Sequence, residues 1–462
     1  MDVKTVLQFA ATTRGLSLLI QALLNAAIPD HEADAFTPRA EEEPLLLDPA
    51  VQWFLGGLSH WDAEHFLFIA ERGYLYEHNY AFFPLFPVIL RGLAETILLP
   101  LSGCLTLHGR LLLAVALGNS ALFLLSVVAL YGLGCVVLQD RRLALVSSLL
   151  YCLTPANVFM MAGYSESLFA ALTFGGLFLL ERGYTLRACL ALSIATAARA
   201  NGLVNVGFLL HSKCLHYIWI IARHMFTAAL GTAVIALPFL VFQYYGYRAF
   251  CTPSLSLEQV YPALIQLAVD KGYRDVYWDV GFLRYFQLKQ IPNFLLALPM
   301  ATLGVVAAYM YYRDNPARCL RLGLWDRGAN KRPDKPTPGF YSPRVFLYVV
   351  HATMLLGFGT FCMHVQVLTR FLSSASPVPF WISAHLLLLY EPLLQRRSPP
   401  TSNKGQQRGT PRTVFLYLPQ NPVVHLLSRW KTCSIPTRWI LGYFISYWLM
   451  GLALHSNFLP WT

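Results

Sequence analysis

Residues 111–138 read LLLAVALGNSALFLLSVVALYGLGCVVL, and none of these 28 residues is charged. At 1.5 Å per residue a helix of that length rises about 42 Å, more than the roughly 30 Å of hydrocarbon in a bilayer. The run therefore reads as a membrane-spanning helix. The rest of the chain agrees with it. Of 462 residues, 56% are hydrophobic and only 13% charged, with a mean hydropathy of +0.48. An ordinary soluble domain is about a quarter charged. These values exclude a disordered protein, a solenoid of polar repeats and almost any cytosolic enzyme. Ten Trp and 24 Tyr suit rings placed at membrane–water interfaces. The expected fold class is an all-α polytopic membrane protein forming one unit over 1–462, with no soluble domain.

Working outward, spans are expected at about 6–28, 81–103, 111–138, 143–161, 167–181, 186–210, 225–247, 291–312, 345–368, 377–391 and 439–456, a bundle of about 11 helices. The first, with Lys4 ahead of an apolar run, reads as an uncleaved signal anchor. Residues 313–344 carry eight bases against three acids, and 392–438 carry eight bases and no acid. Basic loops of this kind stay in the cytosol. The opposite pole is 29–48, with seven acids against Arg39 alone. Loops 29–80 and 249–290 are thus expected across the membrane from the basic ones. One stretch fits poorly. Eleven spans put Arg141 and Arg142 on the far side and Tyr164–Glu166 on the cytosolic side. If 81–103, with Arg91 and Glu95, is only interfacial, both assignments reverse and a compensating crossing is needed near 214–222.

Polar residues with chemical capacity cluster in the first loop, at Ser59-His60-Trp61-Asp62-Ala63-Glu64-His65-Phe66. At 100° per residue, a helix over 58–71 puts Asp62 on a face with His65, Phe66 and Ile69. His60 and Glu64 share another face, about 200° away. An amphipathic interfacial helix with solvated acids is the competing reading. HExxH is absent and His60-x-x-x-Glu64-His65 misses the inverted spacing, so no metal site is expected. Asn79 opens an aromatic, proline-containing stretch to Pro87 that also suits an interfacial anchor. Tyr164-Ser165-Glu166 places an acid close to the bilayer, where it is costly; a helix cap by Ser165 competes with a functional reading. Arg199 and Asn201 fall inside a span, and a buried Arg needs an anionic partner such as Glu166 or a lipid phosphate. Gln366 and Arg370 lie with His364 at the end of span 345–368; snorkelling to the interface is the other reading of Arg370. Nothing supports nucleic-acid binding, and no internal repeat supports an inverted-repeat transporter.

The chain resembles the PIG-V family of GPI mannosyltransferases nearly end to end. The resemblance rests on Ala26–His31, Gly56–Phe68, Tyr74–Asn79, Gly163–Glu166, Phe242–Tyr245, Val269–Arg274, Cys362–Leu372 and Asn457–Thr462. His60-Trp61-Asp62-x-x-His65-Phe66 after a first anchor span is its most specific part. The resemblance implies a GT-C-like bundle in the endoplasmic-reticulum membrane with its active site on the luminal side. It implies transfer of the second, α-1,6-linked mannose of the GPI precursor. The donor would be dolichol-phosphate-mannose, the acceptor mannosyl-glucosaminyl-acylphosphatidylinositol, and no cofactor is needed.

A β-linked donor and an α product imply inversion by one in-line displacement. The protein then supplies a base and positive charge at the departing phosphate. Asp62 is the first expectation for the base, Glu64 the second, and His65 an orienting neighbour. His60, Trp61, Asn79, Tyr164, Glu166, Arg199, Asn201, Gln366 and Arg370 are the expected substrate-binding set, with Arg199 and Arg370 on phosphate. The chain departs from the family after Lys271-Gly272-Tyr273-Arg274, where members carry a further luminal stretch with Trp, Cys and Pro. A lipid transporter or scramblase and a catalytically silent scaffold are the readings from other classes.

Overall fold

The computed structural model describes residues 2–31, 36, 43–214, 221–250, 281–323, 338–395, 421–459 and 461. The expected loop 249–290 and the departure after Arg274 lie largely outside the described residues, as do the middles of both basic loops. Among the described residues the apolar runs form helices and no strand forms. The main helices are α1 (Asp2–Ala27), α2 (Asp48–Leu55), α3 (Asp62–Arg72), α4 (Leu85–Glu95), α5 (Leu107–Val137), α6 (Arg141–Tyr151), α7 (Glu166–Glu181) and α8 (Thr185–Ala198). They continue with α9 (Val206–Cys214), α10 (Ile221–Phe250), α11 (Ile291–Asp314), α12 (Phe346–Cys362), α13 (Leu368–Ala375), α14 (Val378–Tyr390) and α15 (Ile435–His455).

The quoted run lies within α5, the longest helix, whose N-terminus is capped by the Thr106 hydroxyl accepting from the Gly109 N–H. One face of α5 is buried against α1, α4, α6 and α7. Phe123, Tyr151, Phe380 and Trp381 are fully buried in the core, with the rings of Tyr151 and Phe380 edge to face at 4.9 Å.

Eleven unbroken spans are not what forms. Among the described residues, five helical stretches are long and apolar enough to cross a membrane: Asp2–Ala27, Leu107–Val137, Met225–Phe250, Leu288–Asp314 and Pro343–Cys362. A sixth has the length only as a pair, Val365–Ala375 with Val378–Tyr390, bent by 79°. The expected span 81–103 reduces to the 11 residues of α4, which rise only about 16 Å. Arg91 explains its placement: the guanidinium pairs with Glu95 and donates to the Ala70 and Glu71 carbonyls, tying α4 to the end of α3. The expected span 186–210 breaks at Arg199, whose backbone is extended (φ −154°, ψ 138°). Residues 200–214 then turn back as a 3-10 segment and α9.

Contacts at the two ends of the bundle agree with the interfacial alternative for the poorly fitting stretch. Arg344 donates to the Val136 carbonyl and Arg142 to the Leu394 carbonyl. The turn at 139–142 therefore sits with the two basic loops, not across from them. His211 packs by Phe346 at that same end. Residues 200–211 thus supply the return that was expected near 214–222. Tyr164–Glu166 lie at the opposite end, beside the first loop.

Candidate active site

The first loop folds back on the bundle through a sharp corner. His60 stacks on Phe458 at 3.8 Å, and its Nδ1 lies 3.2 Å from the His455 carbonyl. Trp61 then takes a positive φ of 60° with ψ −132°, a conformation that costs a non-glycine residue about 1–3 kcal/mol. The corner starts α3 with Asp62 as its first residue. The facing loop, 152–165, is buried and irregular. Gly163 lets it approach: its N–H donates to the Leu58 carbonyl, and a Cβ there would lie 2.9 Å from the Ala63 Cβ.

Between these parts lies a cavity of about 610 Å³. Six of the residues expected to carry chemistry line it: Asp62, Tyr164, Arg199, Asn201, Gln366 and Arg370. Its remaining wall is mostly apolar, with Phe66, Phe82, Phe83, Met354, Phe358 and Phe371. Each polar group reaches it from a break. Asp62 begins a helix after the Trp61 corner, Arg199 occupies the gap between α8 and the 3-10 turn, and Arg370 projects from α13, between two kinks. Backbone breaks at membrane depth are tolerated where they line a cavity.

Four charges set its electrostatics. Arg370 Nη2 lies 2.9 Å from Asp62 Oδ2, and Arg199 Nη1 lies 2.6 Å from Glu166 Oε1. Glu166 is fully buried, whereas a third of the Asp62 side chain is open to the cavity. Burial pushes the Asp62 carboxyl up, but Arg370, helped by Arg199, more than reverses this and holds it below its ordinary value. Asp62 is thus ionised and able to accept a proton. The Arg370 guanidinium also lies 5.1 Å over the Phe159 ring and 5.4 Å over Tyr164. Its buried Nε and the buried Nδ2 of Asn201 have no acceptor among the described residues. Arg370 and Asn201 both line the cavity, and two guanidinium groups at its wall suit an anionic ligand.

The other expected residues stand outside the cavity. Glu64 turns away on α3, as the 200° separation requires, and burial raises its carboxyl to about 7 despite nearby His108. His65 is stacked between Phe36 and Phe82, each at 4.6 Å, and burial lowers it to about 4, leaving it neutral. His60 and Trp61 form the corner, and Asn79 is buried in the short turn Glu77–Ala81. Glu166 sits behind Arg199. The competing cap is not made: Ser165 makes no side-chain cap bond to α7, and its hydroxyl accepts from Arg199 Nη1 at 3.4 Å. Gln366 accepts from the Tyr285 hydroxyl at 3.2 Å, which in turn accepts from Asn293.

Fold and cavity together define a multi-pass membrane protein with a mixed-charge cavity at one end of the bundle. The mannosyltransferase family described as PIG-V matches residues 3–462, and the chain belongs to that family. The human GPI alpha-1,6-mannosyltransferase 2 is 49% identical over 491 aligned positions, covering 99% of this chain and 98% of the human one. The GPI mannosyltransferase 2 of Drosophila pseudoobscura pseudoobscura is 32% identical, covering 99% of each chain. Among solved structures, the Archaeoglobus fulgidus oligosaccharyltransferase AglB is similar at a TM-score of 0.47 and 11% identity, over 96% of this chain and 56% of that one. The alignment with the human relative is longer than the 462 residues of this chain, so that relative carries residues this chain lacks.

Proposed function

We propose that this chain is an inverting mannosyltransferase of the endoplasmic-reticulum membrane, working at the luminal face. It moves mannose from dolichol-phosphate-mannose to the 6-hydroxyl of the mannosyl-glucosaminyl-acylphosphatidylinositol precursor. The relatives' names give the linkage and the pathway. The observation that carries the mechanism is one cavity holding an ionised, partly open carboxylate beside two arginines, on the side opposite the basic loops.

The acceptor oxygen attacks C1 of the donor mannose from the face opposite the phosphate. The C1–O bond to phosphate breaks, and the electron pair leaves with dolichyl phosphate. The hydroxyl proton passes to Asp62. Arg370 and Arg199 meet the departing phosphate. A general base contributes about 10²–10⁴ in rate, and donors aimed at developing charge often contribute as much.

Expression in cells lacking GPI mannosyltransferase 2 tests the reading. Restored surface GPI-anchored proteins, with loss of the accumulated one-mannose lipid, support it. A chain that reaches the endoplasmic reticulum in normal amount and restores nothing would instead fit the silent-scaffold reading and implicate the residues that the human relative carries and this chain lacks.

A further inference from the structure

Asn119 is out of place in the quoted run. It stands midway along α5, fully buried, where a polar amide is costly unless its bonds are made. Its Nδ2 donates to the Ala162 carbonyl and, at 3.1 Å, to the Tyr164 carbonyl. Those carbonyls flank Gly163, the residue at which the 152–165 loop touches the first loop. On one side Gly163 donates to the Leu58 carbonyl at 2.9 Å and abuts Ala63, the neighbour of Asp62. On the other, the chain runs directly into Tyr164, Ser165 and Glu166, hence to Arg199. A single amide therefore pins the junction between the half of the site that holds the carboxylate and the half that holds Arg199.

We propose that Asn119 is a positioning residue for mannosyl transfer: it fixes the distance between Asp62 and the Arg199 half of the cavity without touching substrate. This rests on the function proposed above. Turn bonds such as Asn157 N–H to Thr154 and Ala162 N–H to Val158 hold the local shape of the 152–165 loop, and the two bonds from α5 tie that shape to the bundle. A misplacement of about 1 Å at reacting groups costs on the order of a hundredfold in rate.

The test is steady-state kinetics of purified Asn119→Asp and Asn119→Leu, normalised to folded protein, with Asp62→Asn and Gly163→Ala alongside. Asn119→Asp keeps the shape and loses the paired donors. The expected result is kcat at least tenfold lower per folded enzyme, with the KM for donor raised severalfold. Asn119→Asp and Gly163→Ala should combine less than multiplicatively, because both act at one junction. A purely structural role lowers the yield of folded enzyme and leaves kcat and both KM values unchanged; that result overturns the inference, as does full multiplicativity. Asp62→Asn separates the two levels. If it transfers mannose normally, the proposed function of the site falls. If it is inactive while Asn119→Asp keeps parental constants, only the role of Asn119 falls.

Discussion

Arg199→Met separates folding from chemistry at the Glu166–Arg199 pair. The Glu166 side chain is 0% exposed and lies 2.6 Å from Arg199 Nη1. Removing one member of a buried pair leaves a charge in a medium that cannot solvate it, at a cost of about 3–5 kcal/mol. A folded domain has about 5–15 kcal/mol in total, so Arg199→Met is expected to lower the melting point sharply. Glu166→Met should cost less, because 22% of the Arg199 side chain is open to the cavity. Replacing both members of a buried pair by well-packed apolar residues removes the penalty as well as the attraction, and such double replacements are near neutral or stabilising. Arg199→Met/Glu166→Met should therefore melt close to the parent, yet transfer no mannose at a measurable rate, because a phosphate ligand is gone. Detergent-solubilised melting by fluorescence size exclusion, with transfer measured on the same material, gives both readouts. The reasoning fails if Arg199→Met melts like the parent, or if the double variant is as unstable as the sum of the singles. It fails equally if the refolded double variant is active.

Further outcomes follow from the same geometry. Gly163→Ala puts a Cβ 2.9 Å from the Ala63 Cβ; one of the two loops must shift by a few tenths of an ångström, and transfer should fall about tenfold with protein level retained, as read in microsomes. Burial raises Glu64 to about 7 from 4.5, so between those values the folded form holds a proton that the unfolded form has lost. Stability therefore declines as pH rises from about 4.5 to 7, and Glu64→Gln should melt higher than the parent at pH 7.5, melt like it at pH 4.5, and keep transfer. Arg370→Gln leaves Asp62 without its partner and a phosphate donor missing; dolichyl phosphate inhibition should weaken by tenfold or more, measured as a raised inhibition constant.

The residues that meet at the candidate cavity were more legible than the path of the chain. Asp62, Arg199 and Arg370 stand out because an ionisable side chain in an apolar chain needs a reason to be there. The helical phase at Asp62 and Glu64 also told which carboxylate faces inward. His65 has a phase close to that of Asp62, but Phe36 and Phe82 enclose its ring, and neither packing partner is local in sequence. Hydropathy could not show that 186–210 is two limbs, since Ala-Ala-Arg-Ala-Asn-Gly is apolar enough to pass as continuous helix. Nor could it show that 81–103 lies against α3, since this depends on Arg91 reaching carbonyls 20 residues away. Asn119 was invisible for a similar reason: one amide among leucines carries no signal until the loop it holds is in place.

The most direct test is transfer by purified parent and Asp62→Asn enzyme at saturating donor, with dolichyl phosphate binding measured on the same samples. The expected result is transfer reduced by at least a hundredfold in the variant, with dolichyl phosphate still bound through Arg370 and Arg199. An Asp62→Asn enzyme that transfers mannose within a few-fold of the parent rate would contradict the assignment of Asp62 as the base and, with it, the chemistry drawn from this cavity.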